Sequence, residues 1–395
     1  MGIIFEKANR YLDWLSDLRR GFHRCPELAL KEFKTALSIE NVLDSLGISH
    51  TRIGDTGVLG ILKGVRPGGS VVALRADIDA LPIQEENDVE YRSLNDGAMH
   101  ACGHDLHTSC LLGAARLLSE MKADISGEIR FIFQPAEETG GGAMDFINSG
   151  VMNGTDRVFG LHVAPDLKIG TVCIKPGLNN AAVDHFRIRI HGKSAHVSTP
   201  HLGSDALYAA CQAVIAIQGL VTRRSSPVEP IILGIGMLNS GTTYNAVAEY
   251  AEMEGTTRTV SQETRMRVRG MIDETCANIA AVSGAEAEVI WTGVCSALIN
   301  DPLACEEAGT AAAMLDTSLN VINERPLSLG GDNFAEFILQ VPGCYAYLGT
   351  SNPELPHTQV GIHNCHFDLD EKALAIGAGI YAATALRWLG FENLI

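Results

Sequence analysis

The stretch "VVALRADID", residues 71–79, indicates how the rest of the chain is built. Its first six residues are apolar except for Arg75 and have the length expected for a buried strand, and Asp77 and Asp79 follow at once. Helical patterns separate this run from the next ones, and the alternation predicts an α/β fold with a largely parallel sheet. The other strand-like runs are "EIRFIF" (128–133), "RVFGLHV" (157–163) and "CYAYLGT" (344–350).

The pattern changes near residue 184. There "DHFRIRIHG" alternates apolar and polar residues, which is typical of an antiparallel strand with one buried face. A helix, two strands, a helix and a strand are expected next, at 204–221, 230–238, 248–258, 262–283 and 286–293. The order β-α-β-β-α-β predicts a small α+β domain inserted into a larger one. We therefore divide the chain into 1–183, an insertion at 184–296, and 297–395.

Composition narrows the classes of function. The 395 residues carry a formal net charge of −17, which argues against a nucleic-acid partner, because phosphate binding favours a basic surface. No signal peptide is apparent, and no apolar run reaches the ~18 residues of a membrane span. The ten cysteines are scattered and contain no C-x-x-C pair, as expected of reduced thiols. We expect a cytoplasmic protein that binds neither nucleic acid nor membrane.

Potential metal ligands are concentrated in "MHACGHDLHTSC", residues 99–110. Gly103 disfavours a helix at this point, and in an extended segment Cys102 and His104 share one side. Thiolate and imidazole together suit a transition metal. Taken alone, the motif is equally compatible with a cysteine beside buried histidines that bind nothing.

Other strand ends carry further polar groups. Glu137 and Glu138 in "QPAEETGGG" follow the strand at 128–133, and adjacent carboxylates repel unless a cation or proton relieves them. One can bind a metal while the other acts as a general base, although a solvated acidic turn is the commoner reason for such a pair. His162 and His363 follow other strands. Because parallel strands end at one edge of a sheet, we expect these groups to converge there.

These motifs resemble the dinuclear-metal aminoacylase and carboxypeptidase family, in particular the subgroup of hippurate hydrolase, N-acyl-amino-acid amidohydrolases and auxin-conjugate hydrolases. The resemblance extends over nearly the whole chain. It implies a metallopeptidase-like catalytic domain, an inserted lid and dimerisation domain, and a homodimer. Further matching motifs are "FHRCPELALKEFKTA" (22–36), "LRADIDALPIQE" (74–85), "GKSAHVSTPHLGSDAL" (192–207) and "GIHNCHFDLDE" (361–371).

The resemblance also implies a metal centre with two divalent ions, Zn or Mn. Glu137 would be the general base acting on a water that bridges the ions, and Asp79 would orient the ligands. In "HNCH", His366 stays open as an alternative to His363. The five implied ligands are Cys102, His104, Glu138, His162 and His363.

Three residues of the inserted domain are implied to handle the substrate. Arg258 would grip its carboxylate, Asn245 would help to bind it, and His196 would cross from a partner subunit to stabilise the oxyanion. A solvated arginine and a structural turn asparagine are the plain alternatives. Two segments depart from the family pattern, "NAVAE" (245–249) and "GGDNF" (330–334), and they leave substrate specificity open.

The expected activity is therefore metal-dependent hydrolysis of the amide bond in N-acyl-amino acids, such as hippurate-like or N-acetyl conjugates. A dipeptidase or carboxypeptidase of the same family is the runner-up. Two further classes stay open: an acyl hydrolase with Cys102 as nucleophile, and a metal- or ligand-binding protein without turnover. The sequence does not specify which acyl group or amino acid is recognised.

Overall fold

A computed structural model describes residues 2–395, which form two compact units. The larger unit contains the chain up to Asn179, together with Ile299–Pro326 and Asn333–Ile395. The smaller unit contains Asn180–Leu298 and the hexapeptide Leu327–Asp332. The sequence-based insertion at 184–296 did not include that hexapeptide.

The helices and strands alternate along most of the chain. The helices are α1 (Ile3–Arg10), α2 (Leu12–Arg24), α3 (Phe33–Ser45), α4 (His104–Ser119), α5 (Ala143–Asn148), α6 (Ala206–Arg223), α7 (Gln262–Val282), α8 (Pro302–Leu315), α9 (Phe334–Ile338) and α10 (Ala373–Trp388). The strands are β1 (Ser49–Ile53), β2 (Gly57–Lys63), β3 (Arg66–Asp77), β4 (Ser126–Gln134), β5 (Arg157–Lys168), β6 (Thr171–Cys173), β7 (Gly177–Asn180), β8 (Ala182–His191), β9 (Ile232–Ser240), β10 (Tyr250–Thr259), β11 (Glu286–Cys295), β12 (Leu298–Asn300), β13 (Asn320–Ile322) and β14 (Gly343–Ser351).

The larger unit is built on an eight-stranded sheet in the order β1-β2-β4-β3-β5-β14-β6-β13. Its centre is parallel, since β3 pairs with β4 and β5, and β5 pairs with β14. The β1–β2–β4 edge and the β14–β6 pair are antiparallel. The expected α/β fold with a mainly parallel sheet is confirmed, whereas the β1–β2 hairpin was not foreseen.

Helices α4 and α10 form the centre of the apolar core on this sheet. Nearly all of their residues are buried, and the two helices pack against each other. Glycines permit this close approach, because a Cβ on Gly113 would lie 2.7 Å from the Cβ of Ala378. The position of α4 matters for function, since this helix begins at His104.

The smaller unit is a separate antiparallel sheet in the order β11-β8-β10-β9. Phe186, Ile188 and Ile190 alternate inward along β8 into a core of their own with α6 and α7. The expected β-α-β-β-α-β module is confirmed. Helix α6 is long and apolar enough to cross a membrane by length and composition, contrary to the expectation from sequence, but its alanine-rich face packs in this core.

Candidate active site

The carboxyl ends of the central parallel strands carry the polar residues of the candidate site. Strand β3 ends at Asp77, and β4 ends at Gln134, just before a single 3₁₀ turn at Glu137–Thr139. His162 lies within β5, on the other side of β3. Such an edge is where ligands bind in open α/β sheets.

Gly103 fixes the geometry between two of the predicted ligands. It precedes α4 with a left-handed backbone (φ +83°), and a Cβ at this position would lie 2.6 Å from Cγ2 of Val163. Only glycine fits this conformation and this space without strain. Cys102 therefore ends the incoming loop, while His104 starts the helix directly beyond it.

The five predicted ligands converge in the larger unit. They form two groups that share the Cys102 sulfur, and the ligand atoms of each group lie within 4.8 Å of one another. The Cys102 Sγ is 3.5 Å from Nε2 of His162. His363 Nε2 is 3.4 Å from Oε1 of Glu138. The groups are Cys102, His104 and His162, and Cys102, Glu138 and His363.

Neighbouring hydrogen bonds aim the histidines at the centre of this cluster. His104 donates from Nδ1 to Oδ1 of Asp79 at 3.2 Å, and the other oxygen of Asp79 accepts the Glu138 backbone N–H at 3.0 Å. His162 donates from Nδ1 to the Val163 carbonyl at 2.8 Å. Both imidazoles thus turn Nε2 inward, an arrangement typical of metal-binding histidines.

A buried polar network supports the same edge from beneath. Asp77 accepts a hydrogen bond from Nδ1 of His107 at 2.5 Å and one from Nη1 of Arg75 at 2.7 Å. The Nε2 of His107 accepts the Val163 N–H at 2.9 Å, so both ring nitrogens of this histidine are occupied. His107 therefore has a structural position.

Glu137 is held by a strained segment of backbone. The preceding Ala136 has φ +58°, a conformation that costs energy for a residue with a side chain. The buried carboxylate of Glu32 accepts the Ala136 N–H at 2.9 Å, and the Asn333 N–H points to Oε1 of Glu137 at 3.4 Å. His363 shows the same left-handed conformation (φ +61°).

Burial and neighbouring charges shift the pKa of each type of predicted ligand differently. Burial raises the pKa of the Cys102 thiol well above its usual value, and the Glu138 carboxylate raises this pKa further. Burial, assisted by the nearby His107, lowers the pKa of His162 to about 3, so its ring is neutral. Burial acts to raise the pKa of Glu138, but contact with His363 and the charge of His104 outweigh it and lower this pKa. The raised pKa of the Cys102 thiol disfavours a free thiolate nucleophile.

The residues present fit a metal. Within residues 2–395, His104 Nε2 and Glu138 Oε1 are buried, lie 3.8 Å apart and make no hydrogen bond of good geometry, although Glu138 Oε1 is 3.4 Å from Nε2 of His363. Unpaired buried polar atoms are rare in folded proteins and call for an explanation such as an ion. Sulfur, imidazole and carboxylate donors together are a ligand set for zinc or a similar transition metal.

The other three predicted residues lie in the smaller unit. His196 is exposed, and its Nδ1 accepts the Ser198 N–H at 3.1 Å. The next residue, Val197, donates its N–H to the carbonyl of Asn245 at 3.1 Å, so these two predicted residues lie on adjacent segments. Arg258, on β10, donates to the carbonyls of Leu329 and Thr257, each at 3.1 Å.

Some residues of the site were not found from the sequence. Asn333 is buried in the departing segment "GGDNF", and its side chain bonds to Gln134, to Arg75 and to the Gly141 carbonyl. Glu32 lies in the quoted motif at 22–36 but was assigned no role. No local pattern marks either residue, because each acts through a contact with a distant segment.

The fold and this cluster define a class of protein, the metal-dependent hydrolases with an α/β unit and a separate antiparallel module. More specifically, the chain belongs to the peptidase family M20/M25/M40, which it matches over residues 73–387. The resemblance drawn from the motifs and the expectation of a hydrolytic enzyme are confirmed.

Several relatives align with this chain over almost its full length. Thermostable carboxypeptidase 2 of Saccharolobus solfataricus is 39% identical over 381 residues, 95% of each chain. The N-acetylcysteine deacetylase of Bacillus subtilis is 38% identical over 374 residues, 94% of this chain and 96% of the relative. A solved dinuclear metal-binding M20 peptidase from Bacillus subtilis is 36% identical with a TM-score of 0.82, covering 97% of this chain and 99% of its own. This neighbour supports a centre for two metal ions.

Proposed function

We propose that the protein is a metal-dependent amidohydrolase that cleaves the amide bond of N-acyl-amino acids. The observation that carries the proposal is the convergence of Cys102, His104, Glu138, His162 and the half-exposed His363, with Glu137 beside them. The relative named as an N-acetylcysteine deacetylase supports an N-acyl substrate. The acidic composition is in keeping with a cytoplasmic location.

The cluster would hold two divalent ions, for which thiolate and imidazole favour zinc while the carboxylates also accept manganese. Bound ions polarise a carbonyl and make a water more acidic. Glu137 is the general base in this proposal: its carboxylate takes the proton of the attacking water and later delivers one to the leaving amine. The Asn333 N–H and the strained Ala136 hold this carboxylate in position.

The smaller unit would supply the substrate-binding groups. The guanidinium of Arg258 suits the carboxylate of the amino-acid part, with Asn245 assisting. Because Nδ1 of His196 accepts the Ser198 N–H, the neutral ring carries its proton on Nε2, where it can donate to an oxyanion. In a homodimer this imidazole would come from the partner subunit.

A carboxypeptidase or dipeptidase is the second candidate, favoured by the similarity to thermostable carboxypeptidase 2. The two substrates differ in chemistry next to the scissile bond, where a dipeptide carries a free, charged amine and an N-acyl-amino acid carries an acyl chain. A substrate panel separates them directly.

The test combines metal removal with that panel. The protein is stripped by a chelator, reloaded with zinc or manganese singly, and assayed on N-acetyl, N-benzoyl and indolyl amino acids and on dipeptides. We expect activity to disappear on stripping, to return on reloading, and to favour N-acyl substrates in kcat/KM. Full activity of the stripped protein would refute metal dependence, and a preference for dipeptides would establish the second candidate.

Glu137→Gln tests the role of the general base. We expect kcat to fall by about 10²–10⁴-fold with metal content unchanged, because the amide cannot take a proton. Glu138→Gln is the matched control: it removes a ligand charge at the adjacent position and should lower metal content itself. Metal analysis of both variants beside their kcat checks this, and a fully active Glu137→Gln would contradict the assignment.

We also propose a homodimer formed through the smaller unit. Among the described strands, β9 is at the edge of its sheet and exposes Met237 and Leu238, while α6 exposes Tyr208 and Ile215. An unpaired edge with apolar side chains invites pairing with another chain. Met237→Asp should shift the protein to monomer in sedimentation, whereas Val228→Asp, at a more exposed apolar position, should not. A dimer unaffected by Met237→Asp would exclude this edge.

A further inference from the structure

A second cluster of metal-ligand side chains lies outside the candidate active site. Glu86, Cys365 and His366 place a carboxylate oxygen, a sulfur and an imidazole nitrogen within 4.8 Å of one another. His366 Nε2 is 3.4 Å from Oε2 of Glu86. Tetrahedral zinc has bonds of about 2.0–2.2 Å to nitrogen and oxygen, which puts neighbouring ligands roughly 3.3–3.6 Å apart. The His366–Glu86 pair therefore already has the spacing of two ligands to one ion, and the Cys365 sulfur lies within 4.8 Å of both.

The backbone holds the two contributing segments together. The Glu86 N–H donates to the carbonyl of Cys365 at 3.0 Å. Asn87, one residue after Glu86, donates from Nδ2 to the carbonyl of Phe367, two residues after Cys365, at 3.1 Å. The ligands are thus brought together by contacts that need no ion, so an arriving ion would meet a largely preformed site.

This cluster is distinct from the five-ligand cluster, although both use the same loop. His363 directs Nε2 at Glu138, whereas His366, three residues later, directs Nε2 at Glu86. The side chains of Glu86 and His366 are 61% and 51% exposed. An ion from solvent can therefore reach the second cluster without passing through the first.

The ligand types indicate which ion would bind. An exposed His–Glu contact is common without any metal and contributes little stability. The added thiol changes this, because sulfur with imidazole selects zinc-like ions over magnesium or calcium. We propose that Glu86, Cys365 and His366 bind one zinc-class divalent ion, and that this ion clips residues 85–87 to the loop that carries His363. The proposal does not depend on the reaction assigned to the protein.

The proposed clip has a mechanical consequence. His363 lies in the same loop with a left-handed backbone, which is a costly conformation for a non-glycine residue. An ion on Cys365 and His366 restricts the motion of this loop. Zinc at the second cluster would thereby help to keep His363 in place.

The thiol gives a direct readout on the intact protein. Zn²⁺ is added to the full chain, and alkylation of each cysteine is followed by peptide mass spectrometry. A zinc-bound thiolate reacts slowly, so we expect Cys365 to be alkylated at least about tenfold more slowly with zinc. Cys211, an exposed thiol elsewhere, is the internal control and should react at an unchanged rate. Equal rates at Cys365 with and without zinc would overturn the proposal.

Ligand variants complete the test. Glu86→Gln and His366→Asn should each abolish the protection of Cys365 and lower zinc bound at saturation by one equivalent. Asp88→Asn is the matched control, since it removes an exposed carboxylate two residues from Glu86 and should leave both quantities unchanged. Because these side chains lie at the surface, the variants should fold normally. Retained protection and unchanged zinc content in Glu86→Gln and His366→Asn would refute the site.

Discussion

At the level of single residues, Gly103 sets the geometry of the candidate metal centre. Its left-handed backbone and its closeness to Val163 leave no room for a side chain. Gly103→Ala should therefore lower stability by about 1–2 kcal/mol from the backbone, with a further roughly 1–3 kcal/mol from the clash. It should also weaken metal binding, because Cys102 and His104 flank the displaced segment. Urea unfolding and metal titration measure the two effects.

Gly97→Ala is a control that separates the backbone strain of a positive φ from the steric clash with Val163. Gly97 has a similar positive φ of +75°, but a Cβ there would meet nothing within 4 Å. We expect only the backbone loss of about 1–2 kcal/mol and unchanged metal binding. Equal losses of stability and of metal binding in Gly103→Ala and Gly97→Ala would show that the clash with Val163 contributes nothing.

Residue identity at the site was largely readable from the sequence, but residue orientation was not. The spacing of Cys102 and His104 around a glycine and the paired glutamates after a strand carry the signal locally. The direction of the His363 and His366 side chains is not written in that pattern: in the fold, His363 Nε2 lies 3.4 Å from Oε1 of Glu138, and His366 Nε2 lies 3.4 Å from Oε2 of Glu86. No pattern of residue types predicts these directions.

At the level of elements, a buried ion-pair network joins α2 to α4. Arg19 donates from Nε to Asp105 at 2.7 Å and from Nη2 to Asp368 at 3.0 Å, and all three side chains are buried. Removing one partner of a buried pair leaves an uncompensated charge and costs about 3–5 kcal/mol. Arg19→Leu should therefore lower the free energy of unfolding, measured in urea, by about 3–5 kcal/mol. We expect the loss of structure to begin at α4, the helix whose first residue is His104.

The neighbouring Arg20 provides the matched control. It pairs with Glu371, but its side chain is 41% exposed. Exposed pairs contribute about 0–1 kcal/mol, so Arg20→Leu should change unfolding little. Comparable losses in the two variants would show that burial of the Arg19 network is not what stabilises this contact.

Element type followed from the sequence where local pattern and tertiary environment agree. The buried parallel strands and the alternating strand β8 are such cases. The strands β6, β7, β12 and β13 are only three or four residues long and carry no periodicity of their own. They form because a partner strand lies beside them, which a single sequence does not reveal.

At the level of the whole molecule, each unit contains a buried aspartate that arginine keeps ionised. Burial acts to raise the pKa of Asp105, but Arg19 and His23 lower it below its usual value. Asp184 behaves alike: burial acts to raise its pKa, and hydrogen bonds from Arg265 and Arg269 lower it. A lowered folded pKa gives stability that is present above the unfolded value of about 3.9 and is lost as the pH falls through the folded value.

Both units should therefore lose stability on acidification below about pH 4, as measured by urea unfolding across the acid range. Asp184→Asn should lower stability at neutral pH and flatten the acid dependence, since the amide does not titrate. An unaltered pH dependence in this variant would mean that Asp184 does not contribute to it.

The change in pattern near residue 184 predicts an inserted module at 184–296, whereas the smaller unit of the fold contains 180–298 and 327–332. The hexapeptide 327–332 groups with the smaller unit through contacts such as the Ala181 N–H to the Ser328 carbonyl at 2.9 Å. Its sequence resembles an ordinary loop. Only the folded chain shows where it is placed.

This hexapeptide changes how the smaller unit could be exchanged or removed. The polypeptide passes from one unit to the other four times, at 179/180, 298/299, 326/327 and 332/333. A single protease nick within 180–298 or 327–332 would leave each fragment with parts of both units, so neither unit would be released intact. If residues 180–298 alone were replaced by those of a relative, the smaller unit would combine a foreign segment with the six original residues 327–332. Recombination between relatives should therefore succeed only when residues 180–298 and 327–332 are exchanged together.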